Sequence, residues 1–240
     1  MADPVKARLY VTDALHAGGS VTLADDQAHY LRHVLRLEAG QAVALFNGHD
    51  GEWRAAIAEA GKKGVRLDLE TQLRPQQVPT DVWLCFAPIK QGRIEMIVEK
   101  ATELGAARLL PVITRRTQMQ KVNTERLAAH AREAAEQCER LDVPEVVPAV
   151  TLEKLLQDWP LDRRLFLCAE RSDAPSLLTA AAGHGPCALL IGPEGGFAPE
   201  EVQRIAAMPQ VVTVSLGRRI LRAETAAIAA MAILQSMRQN

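Results

Sequence analysis

The stretch Ile191-Gly192-Pro193-Glu194-Gly195-Gly196-Phe197 is the strongest indication of the fold. It lies where an apolar run ends and a predicted helix begins. Further along, Leu216 to Ala226 (LGRRILRAETA) follows another apolar run in the same way. Such runs are typical of parallel strands covered on both faces, and open α/β sheets bind small ligands at the carboxyl ends of these strands. The two stretches therefore predict an α/β domain with a ligand pocket between two neighbouring turns.

The residue types of the two turns exclude the common phosphate-binding loops. The first turn lacks the Gly-Lys-Ser/Thr ending of a Walker loop and the glycine order of a dinucleotide fingerprint. Glu194 stands in the middle of that turn, where a carboxylate repels a pyrophosphate. In the second turn, Leu216, Ile220 and Leu221 can sandwich a flat ring. Together the two turns favour a neutral or cationic ligand. An adenosine that carries a sulfonium would suit both turns.

Several segments resemble, in the same order, the 16S rRNA (uracil-N3)-methyltransferase family, a branch of the SPOUT methyltransferases. Besides GPEGGF and LGRRILRAETA they are HYLRHVLR at 29–36, KQGRIEMIVEKATELG at 90–105 and REAAEQCER at 132–140. The resemblance runs from about the first predicted strand to the last helix. It implies transfer of a methyl group from S-adenosylmethionine (SAM) to N3 of one uridine in 16S rRNA, on the assembled small ribosomal subunit.

The N-terminal part of the chain is predicted to be a small β-barrel, which the resemblance identifies as PUA-like and RNA-binding. Its candidate strands are Arg8 to Val11, Ser20 to Leu23, Gln41 to Phe46, Glu52 to Glu59 and Val65 to Glu70. One helix interrupts them, from Asp25 or Asp26 to Arg36, with Tyr30, Val34 and Leu37 on one side. A proline-containing stretch then marks the domain boundary. We therefore expect a PUA-like domain at 1–72, a linker at 73–81 and a SPOUT domain at 82–240.

Strands and helices alternate throughout the second part of the chain. The candidate strands are Val82 to Ala87, Arg108 to Ile113, Leu165 to Ala169, Ala188 to Ile191 and Val211 to Leu216. The first helix carries an apolar stripe of Ile94, Ile97, Val98, Ala101 and Leu104. The last helix, Glu224 to Met237, is apolar nearly all round, which indicates a subunit interface. The resemblance implies a trefoil knot at the ligand turns and a homodimer formed by this domain.

The resemblance places the adenosine of SAM between the two turns, with a third rim at the end of the strand before Ala169. The glycines have a second interpretation, since any turn between a strand and a helix needs close backbone approach or positive φ. The expected cofactor-binding residues are Leu167, Cys168, Ala169, Ile191, Gly192, Pro193, Glu194, Gly195, Gly196, Leu216, Gly217, Ile220, Leu221, Arg222 and Ala223.

Methylation at N3 of uracil requires that the N3 proton leave before or during attack. An Arg side chain that faces the carbonyl oxygens would stabilise the resulting negative charge, and a carboxylate or a water could accept the proton. Arg222 is the candidate stabiliser, and Glu194 or Glu224 is the candidate base. A local ion pair at the start of the last helix is the alternative for Arg222 and Glu224. The reaction requires no metal and no second cofactor.

A basic face is predicted on the N-terminal helix, from His29, Arg32, His33 and Arg36. In a PUA-like domain this face could meet RNA phosphates. A metal site there would need a third ligand that the sequence does not offer. Further basic residues could extend the RNA track or could equally be solvated surface; they are Arg93, Lys100, Arg115, Arg116 and Arg140.

The composition of the chain bears on its partners and its location in the cell. Lys and Arg total 28 and Asp and Glu total 29, so net charge does not identify a polyanionic partner. The cysteines at 85, 138, 168 and 187 are interpreted as reduced thiols. The chain shows no signal peptide and no run that could span a bilayer, so we expect a cytoplasmic protein without a membrane partner. Two alternatives stay open: a SPOUT ribose 2′-O-methyltransferase, and a non-catalytic RNA-binding module.

Overall fold

The computed structural model describes residues 4–23, 25–61, 64–169, 173–183 and 185–238. The chain divides into two compact units. The N-terminal unit comprises the residues up to Val78 together with Ala135–Val143, and the C-terminal unit comprises Pro79–Ala134 and the residues from Pro144 onward. Within the described ranges, no helix is both long and apolar enough to cross a membrane.

The N-terminal unit contains a five-stranded sheet with the order β1-β3-β4-β5-β2. β1 and β3 are parallel, and the other neighbouring pairs are antiparallel. Alternating apolar residues of these strands form a core that includes Leu9, Val43, Leu45, Ile57 and Leu67. The strands are β1 (Arg8–Tyr10), β2 (Ser20–Leu23), β3 (Ala42–Phe46), β4 (Glu52–Gly61) and β5 (Gly64–Arg74).

The helix of this unit differs from its prediction. It begins as α1 (Asp25–His29) and continues as a π-helical turn over Tyr30–Val34. Leu31 is fully buried, whereas Tyr30 is 41% and Val34 is 60% exposed. Leu31 is thus the residue of this turn that packs in the core, and Tyr30 and Val34 lie largely at the surface.

Glu52 binds two arginines inside the N-terminal unit. Arg8 and Arg74 both donate hydrogen bonds to its carboxylate, and the Arg8 guanidinium lies 3.9 Å from the centre of the Phe46 ring. Arg8 also donates to the carbonyl of Ala135 at 2.8 Å. The segment Ala135–Val143 is thus held to this unit by side chains far away in the sequence.

The C-terminal unit is built on a parallel sheet with the strand order β12-β10-β11-β6-β7-β8, and β9 also pairs with β7. Its strands are β6 (Val82–Phe86), β7 (Arg108–Ile113), β8 (Glu145–Val146), β9 (Val150–Thr151), β10 (Arg164–Cys168), β11 (Cys187–Ile191) and β12 (Val211–Val214). The predicted parallel sheet is confirmed. Every residue of β11 is buried, as its continuous apolar run requires.

Helices connect these strands. They are α2 (Arg93–Glu103), α3 (Thr124–Gln137), α4 (Leu152–Gln157), α5 (Leu177–Ala180), α6 (Pro199–Ala206) and α7 (Ala223–Arg238). The predicted stripe of α2 is buried at Ile94, Ile97, Val98 and Ala101. α2 packs against α7, the helix that follows the second predicted turn.

Candidate active site

A cavity of about 510 Å³ lies where β10, β11 and β12 end. This volume falls within the range of small-molecule sites. Both turns singled out in the sequence contribute to its wall, and so does the end of β10. The predicted cofactor residues in the wall are Leu167, Cys168, Ala169, Ile191, Gly192, Pro193, Glu194, Gly195, Gly196, Leu216, Gly217, Leu221 and Ala223.

Two of the residues predicted to bind the cofactor are not part of this wall. Ile220 is 53% exposed and Arg222 is also exposed. The backbone carbonyl of Arg222 accepts a hydrogen bond from the N–H of Ala226 at 2.8 Å, so Arg222 stands at the start of α7. The chain between Gly217 and α7 carries these two side chains towards solvent.

The first turn has a closed geometry that depends on its glycines. The N–H of Gly196 donates to the carbonyl of Pro193 at 2.8 Å, and Gly196 has a φ of +68°. A Cβ on Gly192 would lie 2.9 Å from the ring of Phe197. Glycine is therefore needed at position 196 for its backbone conformation and at position 192 for close approach.

A buried carboxylate links this turn to the end of β7. Glu201 is 7% exposed and is the third residue of α6. One of its oxygens accepts from the N–H of Ala198 at 2.8 Å, and the other accepts from the N–H of Arg115 at 2.8 Å. The turn after β7 is closed by Thr117, whose side chain accepts from the N–H of Thr114 at 2.9 Å. The two turns are thereby held side by side.

Arg116 reaches the cavity from the turn after β7. Its Nη1 donates to the carbonyl of Gly195 at 2.8 Å, and the side chain forms part of the wall. We expected Arg116 only among the RNA-binding residues. Five other wall residues are missing from the prediction, although three of them, Phe197, Arg219 and Ala226, lie within the two quoted stretches; the other two are Val202 and Thr213.

Glu224, one of the two candidate bases, is buried outside the cavity wall. It is 9% exposed, and one of its oxygens lies 3.6 Å from Nη1 of Arg93. The other oxygen has no hydrogen-bond partner among the described residues. Glu194, the other candidate base, is exposed and lines the cavity.

Cys168 contributes an uncharged surface to the cavity. Although the residue is partly accessible, burial of its sulfur raises the pKa of the thiol to about 12. At neutral pH the group is therefore a thiol, which packs as a small apolar side chain.

The basic residues predicted to bind RNA lie in different local environments in the two units. In the N-terminal unit, Arg32 donates to the carbonyl of Gly61 at 2.8 Å, the rings of His29 and His33 lie 4.7 Å apart, and Arg36 has a φ of +54°.

Arg140, also in the N-terminal unit, pairs with Asp142 at 2.6 Å. In the C-terminal unit, Arg115 pairs with Glu200, and Lys100 lies 2.6 Å from Glu103. Among the described residues, no group of three His, Cys, Asp or Glu side chains could hold a metal ion.

Comparison with known proteins places this architecture in a family. A model of the RNA methyltransferase domain matches residues 76–235, and a model of the RNA methyltransferase PUA domain matches residues 23–70. The ribosomal RNA small subunit methyltransferase E of Rickettsia conorii is 36% identical over 230 residues, which cover 94% of this chain and 93% of the relative. The chain belongs to the ribosomal RNA small subunit methyltransferase E family.

Solved members and relatives of the methyltransferase E family share the fold. The Neisseria gonorrhoeae enzyme, solved bound to S-adenosyl methionine, superposes with a TM-score of 0.87 at 28% identity and covers 96% of this chain and 97% of its own. A Legionella pneumophila methyltransferase, solved with SAM bound, has a TM-score of 0.87 at 31% identity with the same coverage. The predicted family is confirmed, and so is the predicted fold class of a parallel-sheet α/β domain with an N-terminal PUA domain.

Proposed function

We propose that this protein transfers a methyl group from SAM to N3 of a specific uridine in 16S rRNA of the small ribosomal subunit. The observation that carries the proposal is the cavity at the ends of β10, β11 and β12, which both signature turns of the chain line. Family membership supports the reaction class, and the SAM-bound structure of the Neisseria gonorrhoeae enzyme supports the cofactor.

We propose this cavity as the SAM site because its volume and the chemistry of its lining residues suit the cofactor. Leu167, Leu216 and Leu221 supply apolar surface for the adenine ring. The turn from Pro193 to Gly196 brings backbone groups close to the ligand, because glycines replace side chains there. When bound, SAM supplies an electrophilic methyl group.

The residues of the chain then have to accept a proton and stabilise negative charge on the uracil. Glu194 is the proposed proton acceptor, because it is the candidate carboxylate that lines the cavity. Glu224 is buried beside Arg93 and is suited to ordering the start of α7. Arg222 is proposed to face the uracil carbonyl oxygens, since its backbone is held by α7 while its side chain extends into solvent.

The proposed substrate contacts involve basic residues of both units. We propose that His29, Arg32, His33 and Arg36 meet rRNA phosphates from the N-terminal unit, and that Arg93, Arg115 and Arg140 add weaker contacts. The proposed domain boundaries remain 1–72, 73–81 and 82–240.

We further propose that the protein acts as a homodimer in the cytoplasm, with the SPOUT-type knot implied by the resemblance. Ile228, Ile233 and Met237 on α7 are half-buried in the single chain and could be covered by a second copy.

Transfer of tritiated methyl groups tests the proposal. The protein is incubated with labelled SAM and either small subunits or large subunits from cells that lack the modification. We expect label in the 16S rRNA of small subunits only. A failure to label small subunits, with cofactor binding intact, would contradict the proposed substrate.

A further inference from the structure

One cation of the C-terminal unit is fixed against the cavity wall. Nη1 of Arg116 donates to the carbonyl of Gly195 at 2.8 Å, and the aliphatic part of the side chain would lie 3.7 Å from a Cβ built on Gly195. The guanidinium is thus placed over the first turn. Its remaining N–H groups are available to a ligand, because the residue is exposed.

The backbone on both sides of Arg116 is held by hydrogen bonds. The N–H of Arg115 donates to the buried Glu201 at 2.8 Å, and the N–H of Thr117 donates to the carbonyl of Thr114 at 3.1 Å. The side chains of Thr114 and Thr117 also lie 2.9 Å apart. A cationic side chain on such a turn loses little conformational entropy when it binds a ligand. It is therefore suited to hold an anionic group of the ligand in a fixed position.

The order of the strands places Arg116 at the end of the cavity opposite the leucines, whereas Arg219, the other arginine of the wall, follows β12 at the leucine end. Leu167 belongs to β10 and Leu216 follows β12, so both lie on one side of β11 in the sheet. Arg116 follows β7, which lies on the other side of β11 beyond β6. The turn after β11 lies between Arg116 and the two leucines. The adenine ring fits the end of the cavity that the leucines line.

We propose that Arg116 binds the carboxylate at the amino-acid end of SAM, an inference that rests on the proposed function. This carboxylate is the anionic group of the cofactor, and the planar guanidinium fork matches a carboxylate in geometry. Its neighbour Arg115 does not serve this role, because it pairs with Glu200 outside the cavity wall. Arg116 is therefore a residue of the cofactor site rather than of the RNA track.

Calorimetry with two thioether ligands tests this assignment without RNA or turnover. S-adenosylhomocysteine carries the amino-acid end, whereas 5′-methylthioadenosine lacks it. We expect Arg116→Ala to weaken binding of S-adenosylhomocysteine about tenfold and to leave binding of 5′-methylthioadenosine unchanged. Arg115→Ala is the matched control and should change neither affinity. Arg116→Lys should restore part of the lost affinity, because it keeps the charge without the fork.

The outcomes separate this inference from the proposed function. An equal loss for both ligands would mean that Arg116 only supports the turn, and no loss for either would mean that Arg116 does not contribute to cofactor binding; each result overturns the assignment. If the wild-type protein bound both ligands with equal affinity, the assignment of Arg116 would also be overturned. The location of the cofactor site would not be affected. If the wild-type protein bound neither ligand, the proposed function would fail as well.

Discussion

The carboxylate of Glu201 accepts a hydrogen bond from the backbone N–H of Arg115 at 2.8 Å, although Glu201 belongs to α6 and Arg115 to the turn after β7. Its second oxygen accepts from the N–H of Ala198, also at 2.8 Å. A single buried side chain therefore connects the turn after β7 with the first ligand turn. This connection sets where Arg116 stands relative to Gly195.

Removing this carboxylate should loosen both turns. In Glu201→Ala the N–H groups of Ala198 and Arg115 lose their acceptor, and an unsatisfied buried donor costs about 1–3 kcal/mol. We expect the free energy of unfolding, measured with urea, to fall by about that amount, and SAM to bind more weakly. Glu200→Ala is the control, since Glu200 is exposed and pairs only at the surface with Arg115. Equal stability of the two variants would contradict the connection.

A methyl group on Gly192 should disturb the cavity through Phe197. The Cβ would lie 2.9 Å from the Phe197 ring, which itself lines the cavity, so the ring must move. We expect Gly192→Ala to weaken SAM binding by about 1–3 kcal/mol, measured by calorimetry. Gly185→Ala serves as the control, because a Cβ there meets nothing within 4 Å. If Gly192→Ala bound SAM as the wild-type protein does, close approach would not be the reason for this glycine.

Much of the cavity could be predicted because its signals are local in the sequence. Apolar runs identify the parallel strands, and the carboxyl ends of parallel strands meet at one edge of the sheet. For this reason the turns at 192–196 and 216–217 and the strand end at Leu167 were expected to share one pocket. The structure places all three in one cavity wall.

Other features of the structure could not be predicted, because they depend on contacts between residues that are far apart in the sequence. Arg116 contacts Gly195, a separation of 79 residues, only because β6 alone lies between β7 and β11. Ala135–Val143 groups with the N-terminal unit, in which Arg8, far away in the chain, donates to the carbonyl of Ala135. The burial of Leu31 instead of Tyr30 could not be predicted because a π-helical turn breaks the regular helical periodicity.

Glu52 should make the stability of the N-terminal unit sensitive to acid. Burial raises the pKa of Glu52, but hydrogen bonds from Arg74 and Arg8 outweigh this effect and hold the pKa below its ordinary value. A lowered carboxylate pKa adds stability above the unfolded pKa, and this contribution is lost as pH falls through the folded pKa.

Glu52→Gln should therefore remove part of this dependence on pH. We expect the unfolding free energy of the wild-type protein to fall more steeply below about pH 4.5 than that of the variant, in urea titrations at several pH values. Glu70→Gln is the control, because Glu70 forms an exposed pair with Arg54. Parallel curves for the wild-type protein and Glu52→Gln would refute the role of this group.

Arg222→Ala should separate binding from turnover. The side chain lies outside the cavity wall, so SAM affinity should be preserved, whereas loss of a group that stabilises charge should slow methyl transfer by roughly 10²–10³. Single-turnover kinetics on small subunits and calorimetry measure the two quantities. Arg218→Ala, an exposed neighbour, should change neither. Full activity of Arg222→Ala would remove Arg222 from the mechanism.

The identity of the methylated nucleoside distinguishes the proposed reaction from methylation elsewhere in the rRNA. Small subunits that lack the modification are incubated with the protein and isotopically labelled SAM, and the 16S rRNA is digested and analysed by mass spectrometry. We expect label on N3 of a single uridine. Label on a ribose 2′-oxygen, or on several unrelated nucleosides, would contradict it.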